Sequence, residues 1–468
     1  VKRRSSVPAD LAVVYYRGRA YQVEARWLAR RRKVRKTIVY LTLFALAGVM
    51  LSPLLYAFIS SFRNDPLSWP PTLTSPKLWP PNWVAAWHLG RQGGGNGWTG
   101  GWAPGRRVDL VVVFSLTPDA PEPPLPRVRI LPPPYESGAP NPAPDTRAEV
   151  ILLEERVVEG TKELMYQVTL RHQGTIRYPL LPLAVIGPRG SRFVRATLAP
   201  DTVSTRISGV YLTWKNIVPG AVRYIFDHYI RAWTTYKGQG GRNLFPKWIL
   251  NSFVVAVLRV VITVVFTTMA GYALARLRFP GRTLLFFFII YTMMVPGQVT
   301  YISNYLVVRD GVFGLSRLFG LKTFLNTFWA LFLPGLVSTT ATFMMKQFME
   351  SIPREIEEAA RIDGANTFQI YTRVILPLSL PAIAAVSILT FQGSWNEFFW
   401  PMVVLTEAEK YTLPVGLNFF LHYYTSVTGS VWNMILAGTI ISVLPVLLIY
   451  VVFQRYFVEG FHLSGIKQ

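Results

Sequence analysis

Cysteine is absent, which excludes disulfides, thiolate metal sites and cysteine nucleophiles. Histidine occurs five times and never as a pair at metal-ligand spacing, so no metal site is expected. Charge is sparse: charged residues fill 16 % of 468 positions, 51 % are apolar, and mean hydropathy is +0.30. That balance is too apolar for a disordered chain and high for a soluble one. No Gly-x-x-x-x-Gly-Lys-Ser/Thr loop occurs, so the chain lacks a phosphate cradle of its own and is not read as a nucleotide hydrolase. The formal net charge of +23 in isolation would suggest nucleic acid. The basic residues instead sit beside apolar segments, the distribution of a membrane protein, and no nucleic-acid partner is expected. The partner that composition points to is the lipid bilayer.

Crossing a hydrocarbon core takes about 20 apolar residues. Six segments qualify: 37–60, 249–275, 284–306, 326–348, 378–404 and 431–456. The first carries no charge and follows a tail, 1–36, with twelve Lys or Arg and two acids, Asp10 and Glu24. This imbalance holds the N-terminus in the cytoplasm. A cleaved signal peptide is the rival reading, but the apolar stretch exceeds a usual h-region and no small-residue cleavage site follows. Six spans return the C-terminal tail, 457–468, to the cytoplasm. Arg276, Arg278, Arg282 and the segment 350–377 then fall inside, and the 405–430 loop with Glu407 and Glu409 falls outside.

Residues 61–248 lie between the first two spans, on the outer side. Within them, 118–145 holds eleven prolines and reads as an extended polyproline-type linker. Runs at 108–116, 149–158, 164–171 and 192–198 favour strands, and the alternation across 166–170 suits a half-buried one. The expectation is a β-rich domain, at about 90–222, inserted before a five-helix core at 249–456. A short internal echo brackets it: Asn82-Trp83-Val84-Ala85-Ala86-Trp87 resembles His228-Tyr229-Ile230-Arg231-Ala232-Trp233. A duplicated flank and coincidence both account for six residues.

The segment 350–377 reads as helix, turn and second helix. Pro353 suits a first helical turn, and Glu355, Glu357 and Glu358 complement the positive end of the helix dipole. Ile356, Ala359 and Ala360 share a face that lets a partner backbone approach. Gly364 supplies the stop, and Pro377 ends the second helix before the fifth span. A solvated cytoplasmic loop helix is the plain alternative.

The segment resembles the EAA loop of permease subunits of ABC importers, matching at Glu358, Ala359, Ala360, Gly364, Leu376 and Pro377, with Val374 at the isoleucine position. Other stretches resemble the carbohydrate branch that includes the maltose permease. These are Asn251-Ser252, Ala270-Gly271-Tyr272-Ala273, Trp395-Asn396-Glu397-Phe398, Thr412-Leu413-Pro414-Val415-Gly416-Leu417 and the ending from Gln454 to Lys467. The resemblance covers the first span and the chain from about 225 onward, and leaves out about 90–222. It implies an all-α polytopic membrane protein with six transmembrane helices of the ABC type I importer permease kind, to which the β-rich extracytoplasmic domain is an addition. It further implies a multi-pass subunit of the cytoplasmic (inner) membrane for sugar import. The partners would be a second homologous permease, two ATP-binding subunits and an extracytoplasmic sugar-binding protein. ATP and Mg would be used by the ATPase subunits, with no cofactor bound here. Glu358, Ala359, Ala360, Asp363, Gly364, Leu376 and Pro377 are the implied ATPase-coupling residues.

Sugars are held by hydrogen-bonding groups and aromatic faces, and Gln392, Trp395, Asn396 and Glu397 offer both in the fifth span. Gln392 and Asn396 share one helical face. Equally, Gln392 and Asn396 would tie helices together and Trp395 would anchor an interface. The pairs Pro296-Gly297 and Pro334-Gly335 read as kinks or packing sites rather than substrate contacts. Arg259, the one charge inside the second span, lies ten positions from Ile249, or about 15 Å deep. Glu397 lies roughly 10 Å deep. The two are candidates for an intramembrane pair, the alternatives for Arg259 being backbone carbonyls or lipid head groups. A secondary transporter would need intramembrane carboxylates or inverted repeats, and a membrane-anchored outer-surface protein would not need the 350–377 segment.

Overall fold

The computed structural model describes residues 11–16, 19–64, 74–116, 125–133, 139–158, 160–206, 209–425 and 432–465. Parts of the expected proline linker (118–124 and 134–138) and the final Ile466 and Lys467 lie outside the described residues. The chain forms two compact units, residues 1–60 and 61–468.

In the first unit, β1 (Leu11–Tyr16) and β2 (Arg19–Glu24) pair antiparallel and α1 (Ala25–Ser61) follows. The tail is therefore more ordered than a basic leader. β-Branched and aromatic residues fill β1, and the Ala, Leu, Arg and Lys residues after Ala25 are strong helix formers, so the helix begins well before the apolar run. From Lys33 onward α1 is long and apolar enough to cross a membrane.

The second unit opens with α2 (Pro80–Gln92), the short strands β3 (Gly94–Asn96) and β4 (Gly100–Trp102), and then two four-stranded antiparallel sheets. The first sheet is built from β5 (Arg107–Leu116), β7 (Thr146–Val158), β8 (Thr161–His172) and β10 (Arg192–Ala196), in the order β10-β5-β8-β7. The second is built from β6 (Arg127–Ile130), β9 (Leu183–Ile186), β11 (Thr202–Arg206) and β12 (Gly209–Trp214), in the order β11-β12-β9-β6. On β5, Val108, Leu110, Val112 and Phe114 point one way; their register partners on β8 are Leu170, Val168, Tyr166 and Leu164. All eight are buried in one core with Leu183, Val185, Leu212 and Trp214 of the other sheet. Period-two alternation thus closes a sandwich. The proline-rich stretch is not wholly linker, because β6 lies inside it and pairs with β9.

α3 (Ala221–Thr234) packs beside α2, so the two echo sequences fall on neighbouring helices at the root of the sandwich. The chain is stitched there by Gly101 N–H to Val218 O (2.8 Å) and Ala221 N–H to Gly97 O (2.8 Å). Gly220, at φ 67°, is 3.0 Å from where a Cβ on Gly90 would sit, so neither position accepts a side chain without movement.

The remainder is helical. α4 (Leu244–Arg276) runs unbroken for 33 residues. α5 (Arg282–Met293) and α6 (Gly297–Arg309) meet at a 102° bend. Then come α7 (Gly311–Gly314), α8 (Trp329–Phe332), α9 (Thr339–Ser351) and α10 (Arg354–Ile362). α11 (Thr367–Gln369) and α12 (Leu376–Leu378) flank a π-helical stretch and lead to α13 (Leu380–Trp395), bent 74° from them. α14 (Phe399–Val404), α15 (Leu413–Thr425) and α16 (Trp432–Gly465) complete the chain. Among the described residues, three helices are long and apolar enough to span alone, or five spans if each bent pair counts as one. The expected spans 284–306, 326–348 and 378–404 are therefore interrupted. In 326–348 no continuous helix forms: Asn326 takes φ 59° and ties its side chain to the backbone of Thr406 and Glu407, Pro334 cannot donate, and Ser338 caps α9.

Candidate functional site

The 350–377 segment folds as helix, turn and helix. α10 starts after Pro353, and Gly364, at φ 85°, reverses the chain. Asn366 then restarts it with a capping box to Gln369. Pro377 sits in the first turn of α12, and the 74° bend into α13 follows. One residue of α10 is buried, and it is an acid. Glu357 Oε1 lies 2.9 Å from Arg276 Nε, with only 7 % and 3 % of the two side chains exposed, although the N–H is not aligned as a hydrogen bond. Arg276 Nη2 also donates to the carbonyls of Met349 and Ile352, closing the α9–α10 corner over the end of α4.

The opposite face of α10 is open. Glu355, Glu358, Ala359, Ile362 and Asp363 are exposed, Ile362 by 87 %, and Phe368 in the next helix by 69 %. Spacings of three and four put these α10 residues on one stripe. Ala360, expected on the outer face, instead packs against the Met345–Tyr371 core, and Leu376 is half-buried there too. Sequence reasoning singled out Glu358 and missed the anchoring role of its neighbour Glu357. The signal available was Glu357 lying three and four positions from Ala360 and Pro353, on the side of the helix away from Glu355, Glu358 and Ile362.

α4 carries contacts along its whole length. At its start, Asn251 Nδ2 donates to Glu409 O (3.0 Å) and Tyr411 O (2.9 Å), and Ser252 Oγ accepts from Leu413 N (2.7 Å). Farther along, Gly271 lets α9 approach so closely that a Cβ there would lie 2.8 Å from Met345 Cβ. At its end stands Arg276.

Midway, α4 forms one wall of a cavity of about 450 Å³. Arg259, Thr263, Thr300, Tyr301, Asn304, Ser338, Thr340, Thr390, Ser394 and Glu397 give it a polar lining, and Trp400 adds an aromatic face. All three interrupted spans border it, through Gly297, through Pro334, Gly335 and Ser338, and through Ser394, Glu397 and Trp400. Irregular backbone at membrane depth is tolerated where it lines such a space. The two Pro-Gly pairs are thus kinks that also shape the cavity. Thr263 Oγ1 is buried there without a hydrogen-bond partner among the described residues.

Of the four candidate path residues, only Glu397 lines this cavity. Trp395 points away, buried in the core against Phe391 and donating Nε1 to Ser442 O at 3.0 Å. Gln392 and Asn396 are exposed elsewhere. Arg259 and Glu397 both face the cavity but make no ion pair. Arg259 Nη1 donates to Leu331 O (2.6 Å), a carbonyl of the broken helix, and Glu397 Oε1 accepts from Trp400 N (3.3 Å). Gly335 makes room for the guanidinium, since a Cβ there would fall 2.1 Å from Arg259 Nη2.

Residues 249–462 match the family described as "Binding-protein-dependent transport system inner membrane component". The chain is 35 % identical over 242 residues to the arabinooligosaccharides transport system permease protein AraQ of Bacillus subtilis, covering 52 % of this chain and 79 % of that one. It is 32 % identical over 283 residues to the sn-glycerol-3-phosphate transport system permease protein UgpE of Pectobacterium atrosepticum, covering 59 % and 91 %. Among solved structures, a bacterial ABC transporter involved in the import of the acidic polysaccharide alginate aligns with 29 % identity and a TM-score of 0.41, over 50 % of this chain and 79 % of that one.

Proposed function

The chain belongs to the binding-protein-dependent transport system inner membrane components, and from that premise we propose that it is the permease subunit of an ATP-driven importer of a sugar or oligosaccharide. The observation that carries the mechanism is the two-sided α10: Glu357 is locked to Arg276 while Glu358, Ala359 and Ile362 stand open. A cytoplasmic ATPase subunit docks on the open face, and its closure on ATP pushes α10. The buried ion pair passes that push to α4, whose Arg259 and Thr263 border the cavity. Seventeen residues separate Arg259 from Arg276, or about 25 Å of helix. ATP and Mg act on the ATPase, and this chain supplies the lever.

The cavity suits a sugar chemically, since hydroxyl and amide groups alternate with the faces of Tyr301 and Trp400. It forms the path together with a homologous permease, and an extracytoplasmic binding protein delivers the sugar. In this reading the chain crosses the inner membrane six times with both termini cytoplasmic. The broken helices each complete a crossing around the cavity, and the β-sandwich stands outside. Glu358→Lys is expected to abolish uptake and attachment of the ATPase while the chain stays in the membrane. Unchanged uptake in that variant would sink the docking role.

A further inference from the structure

A second concavity lies away from the helix breaks. It is a crevice of about 450 Å³ between the root of the sandwich, α3 and the turn leading into α4. Arg223, Asp227, Arg231 and Thr234 come from α3 at spacings of four, four and three, so they form a single stripe facing it. Lys215 enters from the end of β12, and Lys237 from the turn. Among the described residues that line it are four cations and one carboxylate, Asp227, while Asp201 lies beside Lys215. Asp227 lies 3.8 Å from His228 Nδ1, but that buried ring is held neutral, its pKa pushed far down by burial and then by Lys77, Lys215 and Arg231. The Lys215 and Lys237 ammonium groups make no ion pair among the described residues, although the Lys215 backbone N–H donates to Asp201 Oδ2, and Arg223 spends one N–H on Pro179 O (3.2 Å). The Lys215 ammonium is itself held below its ordinary value, by desolvation first and Arg231 second. Asn216, also on the wall, commits Oδ1 to the N–H groups of Leu181 and Val218 and leaves Nδ2 without an acceptor. Lys215, Arg223 and Lys237 thus bring to the crevice donors and positive charge that no carboxylate among the described residues takes up in an ion pair.

We propose that this crevice binds a phosphate-bearing anion, supplied by a lipid head group or free in solution. Guanidinium and ammonium groups converging from three directions match a tetrahedral oxyanion, and the volume accommodates a phosphoglycerol unit. Lys237 and Asn243 line the crevice immediately before α4 begins at Leu244. With α4 as a span, that is the depth of the lipid phosphates, where basic side chains are favoured. This placement rests on the membrane reading; the charge of the crevice does not.

The test is calorimetric titration of the purified full chain in neutral detergent with dihexanoyl phosphatidylglycerol, dihexanoyl phosphatidylcholine and inorganic phosphate, each against chloride at matched ionic strength. Saturable binding of phosphatidylglycerol is expected, weakened roughly tenfold or more by Lys215→Gln or Arg223→Gln, because each removes a charged hydrogen bond. Lys237→Gln, on an exposed turn, keeps the result readable where the others fail to fold. Binding of inorganic phosphate as well identifies a free anion as sufficient, and binding of phosphatidylglycerol alone identifies the lipid. Either outcome upholds the site. Equal binding of phosphatidylcholine, no saturable binding, or affinity unchanged in a folded Lys215→Gln/Lys237→Gln variant overturns it. None of these readouts involves transport, so failure here leaves the importer reading standing, and the reverse.

Discussion

The β-sandwich and the helices bury their apolar residues in opposite ways. In the sandwich, β5 and β8 turn Val, Leu, Phe and Tyr inward at every second position and, except at buried Val113, leave polar or half-exposed residues between them. In α5 no side chain is buried at all, α6 buries only Val308, and the spanning stretch of α1 leaves apolar side chains such as Phe44 and Met50 in the open. The sandwich is complete by itself, whereas the helices are complete only with lipid or a protein neighbour. The helical part does bury apolar clusters, around Trp248, Met345 and Phe332, and beside them it encloses polar groups: Arg276 with Glu357, Asn251, Ser252 and Thr263. Hydrophobic burial therefore holds the insert together. In the helical part, directed polar contacts set which helix touches which.

The largest expected effect follows from removing one half of the buried pair. Glu357→Ala leaves Arg276 enclosed without its carboxylate and is expected to cost about 3–5 kcal/mol. Thermal unfolding of the detergent-solubilised chain measures it. Replacing both residues by Met should recover most of that loss, since the desolvation cost goes with the charges. If the double variant is no better than Glu357→Ala, the pair is not what holds α10 to α4.

The second effect targets the other region. Leu212→Ala removes a fully buried side chain of β12 and should cost roughly 2–5 kcal/mol. Because the sandwich has its own core, this loss should stay within it. Protease should then cleave residues between β5 and β12 while the helical part remains intact in the membrane. Simultaneous collapse of both parts would show that they are one cooperative unit.

How much of this was legible before the structure follows the same division. β5 and β8 alternate over ten and twelve residues, long enough for period two to stand out. β9, at four residues and apolar throughout, carries no period, and β6 is hidden by Pro126 and Pro132, which fall just outside its pairing. α4 was plain because an unbroken apolar run has one reading. The broken spans were seen as continuous because hydropathy averages over a break. Their Pro-Gly pairs were visible, yet that three breaks meet around one cavity is a property of packing. For the same reason the sequence leaves Trp395 two roles, sugar platform or interface anchor, and only packing shows its indole against Phe391 and the Ser442 carbonyl.

A third, smaller effect probes close approach between helices. Gly271→Val places methyl groups where a Cβ alone is already 2.8 Å from Met345, so α4 and α9 must separate. Overpacking of this kind costs about 1–3 kcal/mol. The companion change Met345→Ala should return part of the stability. Without such recovery, the glycine's role is not the α4–α9 contact.

The smallest expected effect on stability carries the largest on coupling. Ile362 is 87 % exposed at the end of α10, and nothing among the described residues covers it. Ile362→Ser should leave the melting temperature nearly unchanged, within about 0.5 kcal/mol, as surface substitutions generally do. If the open stripe of α10 is the seat of an ATPase subunit, the same change removes an apolar anchor from the middle of that contact and should cost about 1–3 kcal/mol of binding. Uptake should fall with it, as should the amount of ATPase that co-purifies. Glu357→Ala also lowers uptake, but through a loosened α10 and with a lower melting temperature. The two variants thus separate an exposed docking surface from a buried lever on opposite sides of one nine-residue helix. A large drop in stability for Ile362→Ser would mean that this face is covered within the chain itself. Unchanged uptake and unchanged ATPase recovery would mean that the partner sits elsewhere.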